Sequence, residues 1–271
     1  MSGPKSVSSP GSSSVSSSLS LGGRTAVVLG GTSGIGRAIS LGLAAAGADV
    51  VAAARRAAEV ADTADAIEAA GRKTLRLTAD VTKRDTLEAL RDATLAAFGK
   101  VDILVNCAGK TKRLPAMDYD EASWNDIMDV NLTGTLRGCQ VFGKPMLDRG
   151  YGRIINIASL TTFVAFHETA PYGASKAAVG ALTKSLAIEW GPRGVVVNAI
   201  APGVFRTALN EQLLDETERG REIKLRTPGG RFGKVEEVAG AAVFLASDAA
   251  GFVNGHILVV DGGYLASGVN Q

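Results

Sequence analysis

Seven short apolar runs alternate along this chain with segments of helical spacing, and that alternation limits its possible folds more than any other feature. The runs are Thr25–Gly30, Asp49–Ala54, Thr74–Ala79, Val101–Cys107, Arg153–Ala158, Val195–Ala199 and His256–Val260. The helical segments are Ile35–Ala46, Ala57–Ala70, Arg84–Phe98, Ser123–Asp148, Tyr172–Trp190, Leu209–Leu225 and Val235–Ser247. Strands that are apolar on both faces belong to a parallel sheet covered on each side by helices. The pattern therefore predicts a single α/β domain, a Rossmann-type doubly wound sheet of about seven strands. In such a sheet, ligands bind beyond the carboxyl ends of the strands.

The first 23 residues are of a different composition. Eleven of the first twenty are serine, with Pro4, Pro10, Gly3 and Gly11 among them, so residues 1–23 are expected to form an unstructured tail and 24–271 the folded domain. A transit peptide is the alternative, although Lys5 is the only basic residue before Arg24. With 46% hydrophobic residues the chain of 271 has ample material for one large core. A formal charge of +2 offers no strong field for nucleic acid or an anionic membrane, and no apolar run is long enough to span a bilayer. Cys107 and Cys139 lack metal-ligand spacing, so no metal is expected; both read as buried, reduced thiols of a cytoplasmic protein.

The informative residues cluster where strands stop. After the first run comes Gly30-Gly31-Thr32-Ser33-Gly34-Ile35-Gly36, opening a helix. Glycines allow a tight turn and close approach of a ligand, and a helix amino end offers free N–H groups to a phosphate. The second run ends in Ala54-Arg55-Arg56, where a fold preferring NAD places a carboxylate. Guanidiniums suit a 2′-phosphate instead, which favours NADP over NAD; alternatively Arg55 and Arg56 simply begin a solvated helix. Asp80 either accepts from an adenine amino group or caps the next helix. The fourth run ends in Asn106-Cys107-Ala108-Gly109, whose small residues leave room for a nucleoside. Asn131, in the middle of a helical segment, calls for a polar network. Pro202-Gly203 ends the sixth run, and residues 208–230 read as a mobile flap.

Ser159 ends the fifth run, and Tyr172 and Lys176 lie four residues apart at the start of a helix, on one face. A cation beside a phenol favours the phenolate, so the Tyr172 pKa is expected to fall toward neutrality and make it a proton donor and acceptor. The spacing alone is equally compatible with a surface tyrosine beside a solvated lysine.

Taken together, GGTSGIG, NCAG, Asn131, Ser159, YGASK and the Pro202-Gly203 turn resemble the short-chain dehydrogenase/reductase family from about Gly22 to the carboxyl terminus. Ser159 precedes Tyr172 by thirteen residues and follows Asn131 by twenty-eight, as is usual in the family. The resemblance implies hydride transfer between nicotinamide and a carbonyl or secondary alcohol. It implies Tyr172 as acid/base, Lys176 as the group that lowers its pKa and holds the nicotinamide ribose, Ser159 as a partner of the substrate oxygen, and Asn131 as the anchor of a proton relay. Gly30, Thr32, Ser33, Gly34, Ile35 and Gly36 would border the pyrophosphate. Asp80 and Val81 would flank the adenine, and Asn106, Ala108 and Gly109 would lie along the cofactor. Pro202, Gly203, Val204 and Thr207 would contact the nicotinamide side. Leu29 and Cys107 depart from the usual Thr and Asn, removing a polar group each.

The carboxyl-terminal segments resemble the gluconate 5-dehydrogenase-like branch of sugar-acid dehydrogenases. Lys112 and Arg113, just after the NCAG turn, are the implied carboxylate ligands, with His167 and Arg206 as further candidates; alternatively Lys112 and Arg113 sit in a solvated loop or a subunit contact. The family expectation is a homotetramer acting on a small molecule, with no nucleic acid or membrane partner. A 3-oxoacyl-carrier-protein reductase or broad ketone reductase is the runner-up, and a non-catalytic NADP-sensing regulator the remote alternative.

Overall fold

The computed structural model describes residues 18–207 and 217–270. Six parallel strands form one sheet: β1 (Thr25–Leu29), β2 (Asp49–Ala53), β3 (Ile103–Asn106), β4 (Gly152–Ile157), β5 (Val195–Pro202) and β6 (Ile257–Val260), in the order β2-β1-β3-β4-β5-β6. Along β1, Ala26 and Val28 feed one apolar layer while Val27 and Leu29 feed the other. Ile103 and Val105 of β3 oppose Leu104 in the same way. A sheet buried on both faces needs apolar side chains at every position, which is why the strands read as unbroken apolar runs.

The first layer is made by α1 (Gly34–Ala45) and α8 (Val235–Ala246). Their approach is close: a Cβ on Gly42 would lie 2.7 Å from the Ala239 Cβ. The second layer is built from α3 (Arg84–Phe98), α5 (Gly134–Arg149) and α6 (Ala170–Trp190). At the sheet edge lies α2 (Ala57–Ala69), and α4 (Glu121–Met128) precedes α5. The short α7 (Glu218–Arg226) stands beyond β5.

Two sequence expectations need correction. Thr74–Ala79 is not a seventh strand. It runs beside β2 and bonds to that side of the sheet only at its ends, through Val50 N–H to Lys73 O and Ala79 N–H to Ala54 O, both 3.0 Å. An outermost segment has one neighbour rather than two; Leu75 and Leu77 hold it by packing on the second layer, and no continuous ladder forms. The segment Ser123–Asp148 is not one regular helix either. Between α4 and α5, Asp129–Thr133 forms a wider, π-type turn.

Residues 1–17 of the tail expected over 1–23, and 208–216 of the flap expected over 208–230, lie outside the described residues; the rest of the flap carries α7 and the turn after it. Of the tail, Leu21 is fully buried in the first layer, so the packed domain begins at least three residues before Arg24.

The chain leaves β1 for β2, then returns to the other side of β1 as β3. Connections diverge there, opening a crevice above the β1 and β3 carboxyl ends.

Candidate active site

Gly30 and Ala108 meet in that crevice. Gly30 has φ 78°, and a Cβ on it would lie 2.6 Å from the Ala108 nitrogen. A Cβ on Gly36 would lie 2.0 Å from the Gly30 carbonyl oxygen. Ser40 locks the turn from beneath, donating to the Gly31 and Gly36 carbonyls at 2.9 and 3.0 Å. Ser33 is extended before α1 and makes no side-chain cap bond, so the first amides of α1 retain their donors. This cradle fits a dinucleotide pyrophosphate on shape and on donor chemistry. Thr207 reaches over it, its Cγ2 3.5 Å from where a Gly34 Cβ would stand. Ile35 packs on the first core layer, and Thr32 donates to Glu59 at 3.3 Å.

Beside the cradle, Leu29, Val81, Asn106, Ala108, Val130, Gly134 and Thr135 enclose a narrow space too tight for a water molecule. Asn106 contributes main chain there. Its side chain turns into the core, donating to Asn156 Oδ1 at 2.8 Å and to Cys139 Sγ at 3.3 Å. Asn156 in turn donates to Thr183 at 3.0 Å. Asp80 orders its own turn by accepting from the Thr82 amide and hydroxyl at 2.9 and 2.8 Å. Burial pushes its carboxyl up, but the Thr82 bonds and the Arg55 and Lys83 charges carry it below its ordinary value. The two guanidiniums after β2 differ. Arg56 pairs with Glu59 at 2.7 Å, whereas Arg55 is exposed and acts on Asp80 only through space.

Behind the nucleotide turn, four elements bring the proton-handling residues together. The π-type turn carries Asn131 inward, fully buried. Asn131 Oδ1 accepts from the Lys110 amide at 2.8 Å, and its Nδ2 donates to the Lys110 carbonyl at 2.9 Å and to Ser175 Oγ at 3.0 Å. Ser175, which the sequence reading passed over inside YGASK, donates to the Tyr172 carbonyl at 2.7 Å. Lys176 donates to the Ile157 carbonyl at 2.7 Å, and its ammonium lies 5.8 Å from the centre of the Tyr172 ring. Gly109 stands between: a Cβ there would be 3.5 Å from Asn131 Oδ1 and 3.6 Å from Lys176 Nζ. Ser159, just beyond β4, places its hydroxyl near enough to the Tyr172 phenol to favour the phenolate.

The electrostatics correct the sequence reading. Burial pushes the Tyr172 phenol above its ordinary value; the Ser159 hydroxyl pulls the other way without overcoming it. The largest effect on Lys176 is also burial, which lowers it to about 8. The Lys176 ammonium, 5.8 Å from the ring centre, does not offset the burial of the phenol. Burial likewise raises Cys107 to about 11, against the nearby Lys176 charge, and Cys139 to about 12. Neither thiol is a nucleophile at neutral pH.

Beyond β5, Gly203 donates to the Val260 carbonyl at 2.8 Å, and a Cβ on it would lie 2.6 Å from Asp261 Cα. Pro202 ends β5, and Val204 packs with Leu160, Phe232 and Tyr264. The residues expected at the substrate end are spread along the rim. Lys112 is exposed and donates to Ser123 Oγ at 2.9 Å. Arg113 pairs with Glu168 at 2.7 Å. The His167 side chain is 85% exposed, and Arg206 is anchored by its amide to the Gly233 carbonyl at 3.2 Å.

Comparison with known proteins agrees with this geometry. A family model described as Enoyl-(Acyl carrier protein) reductase, adh_short_C2, matches residues 30–265. The 2-dehydro-3-deoxy-D-gluconate 5-dehydrogenase of Bacillus subtilis is 43% identical over 249 residues, 91% of this chain and 96% of that protein. The D-threitol dehydrogenase of Mycolicibacterium smegmatis is 44% identical over 245 residues, covering 90% and 94%. The crystal structure of a gluconate 5-dehydrogenase from Burkholderia cenocepacia in complex with NADP and tartrate superposes with a TM-score of 0.90 at 38% identity, covering 94% of this chain and 100% of that one. With the glycine cradle at the sheet's switch point and Asn131, Ser159, Tyr172 and Lys176 grouped behind it, the chain belongs to the short-chain dehydrogenase/reductase family and is an NAD(P)-dependent oxidoreductase acting on CH–OH groups.

Proposed function

We propose that this oxidoreductase interconverts a sugar acid and its keto form, using NADP(H) in preference to NAD(H). The observation that carries the hydride-transfer chemistry of this reading is the buried Lys176 ammonium set between the Tyr172 ring and Gly109, directly behind the glycine cradle. The nicotinamide, when bound, supplies or accepts the hydride. The chain's own residues supply the rest. Ser159 and Tyr172 present two hydroxyls to one substrate oxygen, and the Ser159 hydroxyl favours the charged form of the phenol. A phenol whose pKa is raised by burial stays protonated at neutral pH, so Tyr172 is poised to give its proton to an oxygen gaining charge. In the oxidative direction it must lose that proton, and the adjoining Lys176 charge stabilises the phenolate. Asn131 braces the Lys110 main chain and Ser175, which fixes the helix start that carries Tyr172.

The NADP preference rests on exposed Arg55, beside the end of β2 where a carboxylate would accept from a ribose. Arg56, already paired, supports it less. The sugar-acid class rests on Arg113 at the rim and on the relatives' substrates. Pairing of Arg113 with Glu168 favours a second reading, a neutral polyol, since it cancels one charge at that rim. Two free cysteines support a cytoplasmic setting. A homotetramer would cover Ile188 of α6, 81% exposed, and Trp124 of α4, 39% exposed.

The test is nicotinamide absorbance with both cofactors over aldonates, ketoaldonates, polyols and a 3-oxoacyl thioester. Turnover confined to polyols removes the sugar-acid reading, and turnover confined to the thioester replaces it with a carrier-protein reductase. Sedimentation of the same preparation tests the tetramer.

A further inference from the structure

We propose that Arg219 joins Arg113 in a two-guanidinium subsite for a substrate carboxylate, with Glu168 as the subsite's internal counter-ion. The proposal rests on the sugar-acid reading and deepens it. Three segments at the carboxyl edge of the sheet supply the cluster. Arg113 lies in the loop after β3, Glu168 in the loop that joins Ser159 to Tyr172, and Arg219 on α7 beyond β5.

Arg219 is positioned rather than solvated. Its guanidinium lies 5.6 Å from the centre of the Phe166 ring and donates to the His167 carbonyl at 3.2 Å. Phe166 is itself held edge-on against Tyr264, with ring centres 5.9 Å apart. Burial and the Arg113 charge both act against the Arg219 charge, and Glu168 and Glu222 act for it. Among the described residues no carboxylate pairs with Arg219 directly, whereas Glu168 is committed to Arg113 at 2.7 Å. Of the two cations only Arg113 has a direct carboxylate partner among the described residues; Glu168 and Glu222 reach Arg219 only through space.

Glu168 is held in place by its backbone. Among the described residues it is the one non-glycine with positive φ, at 64°. Its carbonyl accepts from the Leu114 amide at 3.2 Å and from the Tyr119 hydroxyl at 3.3 Å. The same Tyr119 hydroxyl bonds the Lys112 carbonyl, tying the Arg113 loop to the Glu168 loop. The side chain of Glu168 also faces His167, 3.7 Å away. A conformation unfavourable to a glutamate is thus maintained by bonds from the segment that bears Arg113. It keeps Arg113 oriented while leaving the Arg219 side of the cluster electropositive. The carboxylate of a hydroxy acid can pair directly with Arg219; a neutral polyol cannot.

The test measures kcat and KM for D-gluconate and tartrate, and for D-threitol as the neutral control, in wild type, Arg219→Ala, Arg219→Lys and Glu168→Gln. Arg219→Ala is expected to raise KM for the acids about tenfold or more while kcat changes less than about twofold. It should leave the polyol KM within about twofold, and Arg219→Lys should recover part of the loss. Glu168→Gln, which removes the competing anion, should lower KM for the acids. Equal effects of Arg219→Ala on acids and polyol, or a rise in acid KM in Glu168→Gln, overturns the subsite while leaving the sugar-acid reading standing. A wild type that turns over no hydroxy acid overturns both.

Discussion

The Lys176 ammonium lies 5.8 Å from the centre of the Tyr172 ring and is hydrogen-bonded to the Ile157 carbonyl at 2.7 Å. One group joins the end of β4 to the first turns of α6, so the proton donor is referenced to the sheet and not only to its own helix. Tyr172→Phe keeps the ring and its packing but loses the proton. Turnover should fall at least ~100-fold, while NADPH binding followed by fluorescence stays near wild type. A variant retaining most of its turnover would assign the proton transfer to another group.

Lys176 also sets a pH dependence of stability. Burial lowers its pKa from 10.5 to about 8. Between those values the unfolded chain binds a proton that the folded chain has released, so stability rises with pH across that window. Below about pH 8 the cost of the buried charge is fully present. Lys176→Met removes this dependence. Wild type should gain on the variant by on the order of 3 kcal/mol between pH 8 and 10.5. Tyr172 acts oppositely once pH passes 10, because its folded pKa is raised above that value. Cys107 and Cys139, raised by burial to about 11 and about 12, oppose the lysine already from about pH 9 in both proteins. The lysine is therefore read from the difference between the two proteins' urea midpoints up to pH 10, and a constant gap would refute its titration there.

Arg55 and Arg56 are adjacent but not equivalent. Arg55→Asp should weaken NADP by tenfold or more, roughly a charge-assisted contact, and shift the NADP/NAD ratio of kcat/KM toward NAD. Arg56→Ala should move that ratio less than about threefold, since its guanidinium is held by Glu59. Equal effects from the two would place the 2′-phosphate differently.

Two glycine-to-alanine substitutions should have opposite signs. At Gly36 the new Cβ would sit 2.0 Å from the Gly30 carbonyl, so the cradle must move. Gly36→Ala should lower the thermal midpoint and reduce nucleotide affinity together. Gly240, exposed on α8, has nothing within 4 Å of its would-be Cβ. Gly240→Ala should stabilise by about 0.5–1 kcal/mol with nucleotide affinity unchanged. Calorimetry and fluorescence titration read both.

Asn106 and Thr74–Ala79 show where reading residues along the chain stops short. The asparagine sits at a strand end beside the crevice, yet its side chain serves a buried network with Asn156, Cys139 and Thr183. Which face a terminal strand residue presents depends on the helix packed against it. Gly138 makes room for it: a Cβ there would lie 2.2 Å from Asn106 Oδ1. The apolar run 74–79 has the composition of a strand but lies outside β2, and pairing needs a partner as well as a pattern. Arg219 gave no local signal at all, being one cation among several on α7.

The sequence alone determined the alternating architecture, the glycine turn and the spacing of Asn131, Ser159, Tyr172 and Lys176, because strand burial, backbone freedom and helical periodicity are local properties written residue by residue. Only the tertiary structure decided the sense of the Tyr172 pKa, the pairing of Arg56 and Arg113, and the place of Arg219. Each depends on desolvation and on charges brought in from segments distant in the chain, and those combine only when the sheet has closed beneath them.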